Sequence, residues 1–464
     1  MFRSASIALR CLVASRRGFH SRAEHATWVR GVVSSRMLKP AQIAPAAQIR
    51  SPFLADVDPM IERLQLFACP KEAQQVGTPE ASFLQATYPL SVDPILLRSV
   101  SDVNHHGPGG DEKWAGFRLS KFYEALDALT ADVAYAHTDG IAKGLALVTA
   151  GHYNSVKLGR TSPKRDIHLR SYITAVGNAS LEVRTDAVQE DLEGNEKLVN
   201  VCHTMMVALD AKTMRPIKGG VPPLVVCPPS LSLDSEAAAE RLELAGTHKE
   251  IRSRRAKESM QLRGPHSRPP TQEEMVQVHE LHRAATKAAE SAAPRLNLPQ
   301  TVEDNTHHSS AIVFPEHRNM HGKTFGGWVV AQAFDLAMFT AKYFVGGAAF
   351  IPIGLDEAIF HQPVGIGDMT RLDAKVVHAG GDGVFRVFVT VGVIDPRDPT
   401  RRAQRTNRLM FVFAADASVQ HRVLPVTYFN IVVHVEAQRR HAVEGLNKER
   451  MEEINLFLSN QNPY

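Results

Sequence analysis

Apolar positions along this chain fall into two long helical stripes, each followed by four extended runs. From Trp114 to His137, Phe122, Leu126, Leu129, Val133 and Ala136 recur at i, i+4, i+7, i+11 and i+14, one face of an α-helix. Runs rich in β-branched and apolar residues follow at Leu145 to Thr149, Ile167 to Val176, Ser180 to Val188 and Val199 to Leu209, with turn residues between them. The order then repeats. Trp328 to Val345 is apolar nearly all round, which a helix tolerates only when other structure wraps it. Strands are predicted after it over Phe350 to Phe360, Thr370 to His378, Val384 to Ile394 and Arg402 to Ala414. Arg118 matches Phe325, Gly177 matches Gly380, and the Leu209-Asp210 end matches Ala415-Asp416 at nearly constant offsets, the mark of an internal duplication.

One buried helix wrapped by a single strongly curved antiparallel sheet is an α+β arrangement, the hotdog architecture, and two copies are expected to pair sheet edge to sheet edge. The tandem hotdog domains are expected at residues 85–227 and 299–435. Residues 41–84, rich in Pro, Ala and Gln, read as a linker with one short helix around Met60 to Phe67. Residues 228–298 read as a helical connector: charged, helix-prone runs broken at Pro265, Pro269 and Pro270 either lie across both domains or form a solvated linker. Residues 436–464 are expected to form a C-terminal helical tail.

The 464 residues, 44% hydrophobic and 22% charged, provide for two cores plus linkers and a leader. A net charge of +4 does not argue for nucleic acid, because much of the excess lies in the first forty residues. That segment carries seven arginines up to Lys39, with Ser and Ala between them and Glu24 as its only acid, the composition of a mitochondrial transit peptide spanning residues 1–40. Its apolar stretch, Ile7 to Val13, is interrupted by Arg10 and is too short to cross a bilayer, so no stable membrane insertion is expected. Arg17-Gly18-Phe19 resembles a matrix-protease cleavage site. Cys11, Cys69, Cys202 and Cys227 form no CxxC pair, and the histidines show no ligand spacing, so neither metal nor redox cofactor is expected.

The sharpest local signal is Asn319-Met320-His321-Gly322-Lys323-Thr324-Phe325-Gly326-Gly327, immediately before the second helix. It resembles the motif that opens the central helix of hotdog acyl-CoA thioesterases, where an Asn stands a few residues before a Gly-Gly. Leu355-Asp356-Glu357-Ala358-Ile359-Phe360-His361-Gln362-Pro363-Val364 is similar to the strand and turn that follow in that family. In the first half, Arg118 to Leu129, Tyr135-Ala136-His137, Asp166-Ile167-His168-Leu169 and Val176 to Val183 resemble the first hotdog of its duplicated members. The resemblance spans roughly residues 85 to 435 and is specific as a set. It implies hydrolysis of acyl-CoA, acyl-CoA as the partner, and assembly into homo-oligomers of double-hotdog chains.

The chemistry suits these residue types. Thioester hydrolysis needs a water activated by a carboxylate, and donors aimed at the oxygen where charge develops. Glycines at a helix N-terminus let backbone approach a ligand, with the positive end of the helix dipole behind their N–H groups. Gly326 and Gly327 fit that place, Gly326 as an oxyanion donor and Gly327 as a substrate contact, and the Asn319 amide adds a side-chain donor. The resemblance implies a shared site, with the acid on the central helix of the opposite domain. Alignment of the halves on Arg118 and Phe325 puts Asp127 there and Phe334 at the matching place in the second half. Glu112 and Leu119-Ser120 stand where the first half would need Asn and Gly-Gly. The set Asn319, Gly326 and Asp127 therefore assembles once, across the domain interface, and the second pseudo-site reads as dead. Asp335, one residue off that register and about 100° round the helix, is the rival carboxylate. Glu124 reads as a solvated neighbour of Asp127, Thr149 as a residue that helps hold the water, and Lys323, with Arg160 and Arg165, as candidates for the CoA phosphates.

Other motifs lead nowhere. Gly322-Lys323-Thr324 lacks the first glycine of a phosphate-binding loop, position 317 being His317. His279-Glu280-Leu281-His282 lacks the spacing of a zinc protease, no GxSxG is present, and His307-His308 reads as an exposed pair without partners. Two other functions stay open: a hotdog hydratase, which needs a catalytic His beside the carboxylate and finds none at the centre of either helix, and a non-catalytic acyl-CoA-binding protein.

Overall fold

The computed structural model describes residues 65–68, 82–101, 117–140, 143–157, 161–162, 165–190, 194–219, 221–222, 269–290, 300–346, 348–398, 400, 403–415 and 422–444. The expected leader, Glu112, Arg160, the matching Asp416 and most of the connector lie outside them.

The first half contains strands β2 (Leu84–Tyr88), β3 (Leu145–Lys157), β4 (Ile167–Val176), β5 (Ser180–Glu190) and β6 (Glu196–Asp210), a short helix α1 (Pro94–Val100) and the long helix α2 (Leu119–Thr138). The second half contains β8 (Thr306–Ile312), helix α4 (Gly326–Phe344), β9 (Phe350–Phe360), β10 (Met369–Ala379), β11 (Val384–Ile394) and β12 (Gln404–Ala415). Its strands run in the order β8-β10-β11-β12-β9, the counterpart of β2-β4-β5-β6-β3 in the first half. Each half is a hotdog, and β3 pairs antiparallel with β9 to join them in one sheet. Arg118 and Phe325, the residues that align the halves in sequence, are the N-caps of α2 and α4.

The join demands close approach. A Cβ on Gly151 of β3 would stand 2.5 Å from the Ala358 carbonyl oxygen of β9, so only glycine lets the two backbones meet there. One core runs through both halves. Phe122, Leu126 and Leu129 of α2 share it with Val330, Phe334 and Ala337 of α4 and with Phe411 and Phe413 of β12. Removing one of those rings costs about 3–5 kcal/mol.

Four expectations change. β1 (Gln65–Ala68), where a short helix is expected, is a strand on the open edge of β2; an unpaired edge offers ladder partners to a segment too short to bury a helical face. The apolar outer face of α4 is not fully wrapped: Phe339 and Tyr343 are 58% and 61% exposed, with His307 ring edges against both. His307-His308, expected as an exposed pair without partners, lies on β8 and has them: the His307 ring meets Phe339 and Tyr343, and His308 Nδ1 meets the Asp373 carboxylate. Finally, the helix after the second domain is α5 (Tyr428–Glu444), which begins before residue 435 and packs Val433 and Ala437 on Val377, Phe388 and Met410 of the sheet's outer face. The described part of the connector, α3 (Gln272–Glu290), is capped reciprocally by Thr271 and Glu274 and docks on α5 through Glu274 and Arg439 at 2.7 Å.

Two buried polar groups matter for stability. On β5, Arg184 Nε donates to Asp186 Oδ1 at 2.7 Å and Tyr172 Oη donates to Asp186 Oδ2 at 2.9 Å, with Arg184 and Asp186 both 1% exposed in their side chains. Under α5, the His378 ring lies 5.5 Å from that of His434 and 5.1 Å from that of His441, with Arg386 and Asp382 alongside. Burial holds His378 well below the usual imidazole value, helped by the charges of His434, His441 and Arg386 and opposed by Asp382. Burial lowers His434 as well, against the Val377 carbonyl. Both rings are thus neutral in the fold, while the unfolded chain takes up protons below about pH 6.5. Their stabilisation is complete above that value and is lost as pH falls beneath it. The melting temperature is expected to drop between about pH 7 and 5.5, and His378→Phe to flatten that dependence; an unchanged slope in the variant rules the cluster out as its source.

Candidate active site

Asp127 sits on the buried face of α2, 4% exposed, where it reaches the N-terminus of α4. Its Oδ2 accepts the Gly327 N–H at 2.8 Å, and its Oδ1 accepts the Thr149 hydroxyl at 2.7 Å. The carboxylate thus lies against the positive end of the other half's helix, one place where burial of an anion is favourable. The approach requires glycine, since a Cβ on Gly326 would lie 2.9 Å from Asp127 Oδ2. Each carboxylate oxygen still has a lone pair for another donor.

Asn319 shapes the loop beside it. Its Oδ1 accepts the N–H groups of His321 and Lys323 at 2.9 and 3.0 Å, which fixes the amide orientation and leaves Nδ2 as the donor for another group. Gly326 is the first residue of α4, and its N–H is among those that no helical carbonyl can take. Asp127, Thr149, Asn319, Lys323 and Gly326 all line one cavity of about 350 Å³. Its walls are apolar along α2 and the sheet (Ala128, Ala131, Leu147, Met206), and its rim holds Arg318 and the exposed Lys323.

Gly327 departs from expectation: its N–H is taken by Asp127 and it is buried, away from the cavity lining. Glu124 is buried rather than solvated, with Lys121 Nζ at 2.9 Å, because α2 and α4 cross at this level. Arg165 donates to the Glu190 carbonyl at 3.0 Å and does not line the cavity. Cys202, free and buried, is kept up at about 12 by burial, with the Asp127 charge among the lesser causes, so it carries no thiolate. At the pseudo-equivalent position, Phe334 is 2% exposed and packs on Tyr123, Phe411 and Phe413 with ring centroids 5.4 to 6.4 Å away, so aromatic rings fill the space.

Asp335 turns away and pairs with Arg118 at the half-exposed edge of the two helices. Asp335→Asn is therefore expected to retain most activity and to cost no more than about 1 kcal/mol of stability; a dead Asp335→Asn protein beside an active Asp127→Asn one reverses the assignment.

No protein-family model matches the chain. Acyl-coenzyme A thioesterase 2, chloroplastic, of Humulus lupulus is 24% identical over 448 residues, 93% of this chain and 89% of the relative. Acyl-coenzyme A thioesterase 10, mitochondrial, of Mus musculus is 26% identical over 396 residues, 82% of this chain and 83% of the relative. The chain is a homologue of acyl-CoA thioesterases. The human acyl-coenzyme A thioesterase 9, mitochondrial, is 26% identical and aligns with 77% of this homologue and 76% of its own length. Among solved structures, an acyl-CoA hydrolase from Staphylococcus aureus in complex with butyryl coenzyme A matches 35% of this homologue and 99% of its own chain, at 21% identity and TM-score 0.29.

Sequence reasoning missed three residues around this thioesterase-like site: His152, Tyr135 and His321. Tyr135 Oη lies 2.9 Å from His321 Nε2 and accepts the Leu147 N–H at 2.9 Å, but nothing in the spacing of Tyr135 and His321 joins them before the fold is known. His152 lies past the strand end expected at Thr149, because β3 runs on through a bulge to Lys157. Alternation puts Thr149 and Gly151 on one face of β3, yet the register slips between them, so that Thr149 stands opposite Met206 and His152 opposite Thr204 on the same face.

Proposed function

We propose that this chain hydrolyses acyl-CoA thioesters to free fatty acid and CoA with one active site, built across its two halves. The observation that carries the reading is a buried carboxylate, Asp127, held by Thr149 and the Gly327 amide beside a cavity that Asn319 and Gly326 also line. Asp127 takes a proton from a water as its oxygen bonds to the thioester carbonyl carbon. The developing oxyanion receives the Asn319 Nδ2–H and the Gly326 N–H. Collapse breaks the C–S bond, and the sulfur leaves with the proton that Asp127 had taken, which restores the carboxylate. Arg318 and Lys323 at the rim offer positive charge to the CoA phosphates.

A hydratase needs a histidine that is open to substrate and paired with the carboxylate; His152, the imidazole beside Asp127, is fully buried and outside the cavity lining, and His321, which does line the cavity, pairs with Tyr135. Thiol release from acyl-CoAs of graded chain length tests the proposal: hydrolysis of at least one is expected, and binding without release supports a non-catalytic role instead. On the homology and the leader's composition, we place the protein in mitochondria, in the matrix, with domains at 85–227 and 299–435 and homo-oligomeric assembly. A fluorescent protein fused to residues 1–45 is expected to enter mitochondria; retention in the cytosol counts against the address.

A further inference from the structure

His152 is 0% exposed on β3, and no part of the mechanism above uses it. Its Nδ1 lies 2.9 Å from Thr204 Oγ1. Its Nε2 has no hydrogen-bond partner among the described residues, yet lies 3.4 Å from Asp127 Oδ1, the oxygen that accepts the Thr149 hydroxyl. The ring stands edge-on to Phe360, at 5.9 Å between centroids.

The surroundings select a tautomer. A bare Nε2 would turn its lone pair toward a carboxylate oxygen 3.4 Å away, too close for a water to come between them, a repulsive arrangement. With the proton on Nε2, the imidazole faces Asp127 with positive hydrogen, and the Thr204 hydroxyl donates to Nδ1. A hydroxyl serves either tautomer, so the carboxylate decides.

We propose that His152, set in this tautomer by the Asp127 carboxylate and held in place by Thr204, is a positioning residue for Asp127. This inference rests on the hydrolase reading. The Thr149 hydroxyl and the His152 Nε2–H approach one carboxylate oxygen and the Gly327 N–H the other, so the rotation of the group is set from both ends. The direction left open is then fixed toward the cavity, where the attacking water must lie. A general base out of place by a fraction of an ångström loses rate without losing substrate, because His152 does not touch the cavity.

The test uses the full chain and an acyl-CoA that the unaltered protein hydrolyses. His152→Phe keeps a ring against Phe360 and removes both nitrogens; it is expected to lower kcat about tenfold or more with KM within about twofold. His152→Gln, which restores an N–H donor, is expected to recover much of that loss. Should His152→Phe not fold, as judged by its thermal transition, Thr204→Val reads the same effect, because it removes the hydrogen bond that holds the ring in place without emptying the site. Full kcat in His152→Phe, or in Thr204→Val where the former does not fold, alongside an inactive Asp127→Asn protein, overturns the positioning role alone. Absence of thiol release by the unaltered protein overturns the hydrolase reading itself, and this inference with it.

Discussion

Asp127→Asn is expected to lower turnover about a hundredfold or more while leaving the fold intact. The amide is isosteric, and every neighbour can adapt. Its oxygen keeps the Gly327 N–H, the Thr149 hydroxyl rotates to accept from the new NH₂, and the imidazole of His152 takes its other tautomer. What disappears is the capacity to accept a proton from water. Asn319→Ala is expected to cause a loss of similar size by removing one oxyanion donor, about a hundredfold, although its Oδ1 contacts also shape the loop. Asp127→Ala is a different experiment. It strands the buried Gly327 N–H and costs roughly 1–3 kcal/mol of stability in addition. Kinetics and thermal unfolding on the three proteins separate these effects. Near-normal turnover by Asp127→Asn would falsify the assignment of Asp127 as the base.

A large stability effect is expected outside this site, on β5. Asp186→Ala takes from the Arg184 guanidinium its principal charge partner, leaving the weaker influence of Glu182, in a place where both side chains of the pair are 1% exposed. Breaking such a pair from one side costs about 3–5 kcal/mol, because the remaining charge stays out of water. Tyr172 loses an acceptor in the same step. Replacing both partners by apolar residues of similar volume, Arg184→Met with Asp186→Leu, is expected to restore most of the stability, since the cost lies in the orphaned charge. Denaturant unfolding of the single and double variants decides this; a double variant no better than Asp186→Ala shows that the charge pair itself stabilises the sheet.

What could be read without coordinates follows from how strongly each segment was constrained. β9 (Phe350–Phe360) and β11 (Val384–Ile394) have the bounds that their apolar runs predict, because both faces of those strands are buried. β8, with the polar sequence THHSSAI, has no such signature and forms because β10 offers it an unpaired edge. The neighbourhood of Asp127, Gly326 and Asn319 was legible because the resemblance marks the helix-entry motif and implies an acid on the opposite helix, and the duplication supplies the alignment that puts Asp127 there. Glu124 was misjudged because charge alone says nothing about a helix crossing, and His152 was missed because it lies past the expected strand end at Thr149, where one inserted residue, Ala150, reverses the faces of the strand.

The ring of Phe334 carries a consequence for ancestry. In a dimer of identical subunits each substitution appears in both sites at once, so neither can be abandoned while activity is under selection. Once the two copies are fused in one polypeptide, that coupling ends. The copy opposite the working carboxylate is free to trade polar groups for packing, and Tyr123, Phe334, Phe411 and Phe413 read as the outcome. An inhibitor that titrates working sites should then saturate at one equivalent for every two hotdog domains, where an unfused homodimer takes one for each.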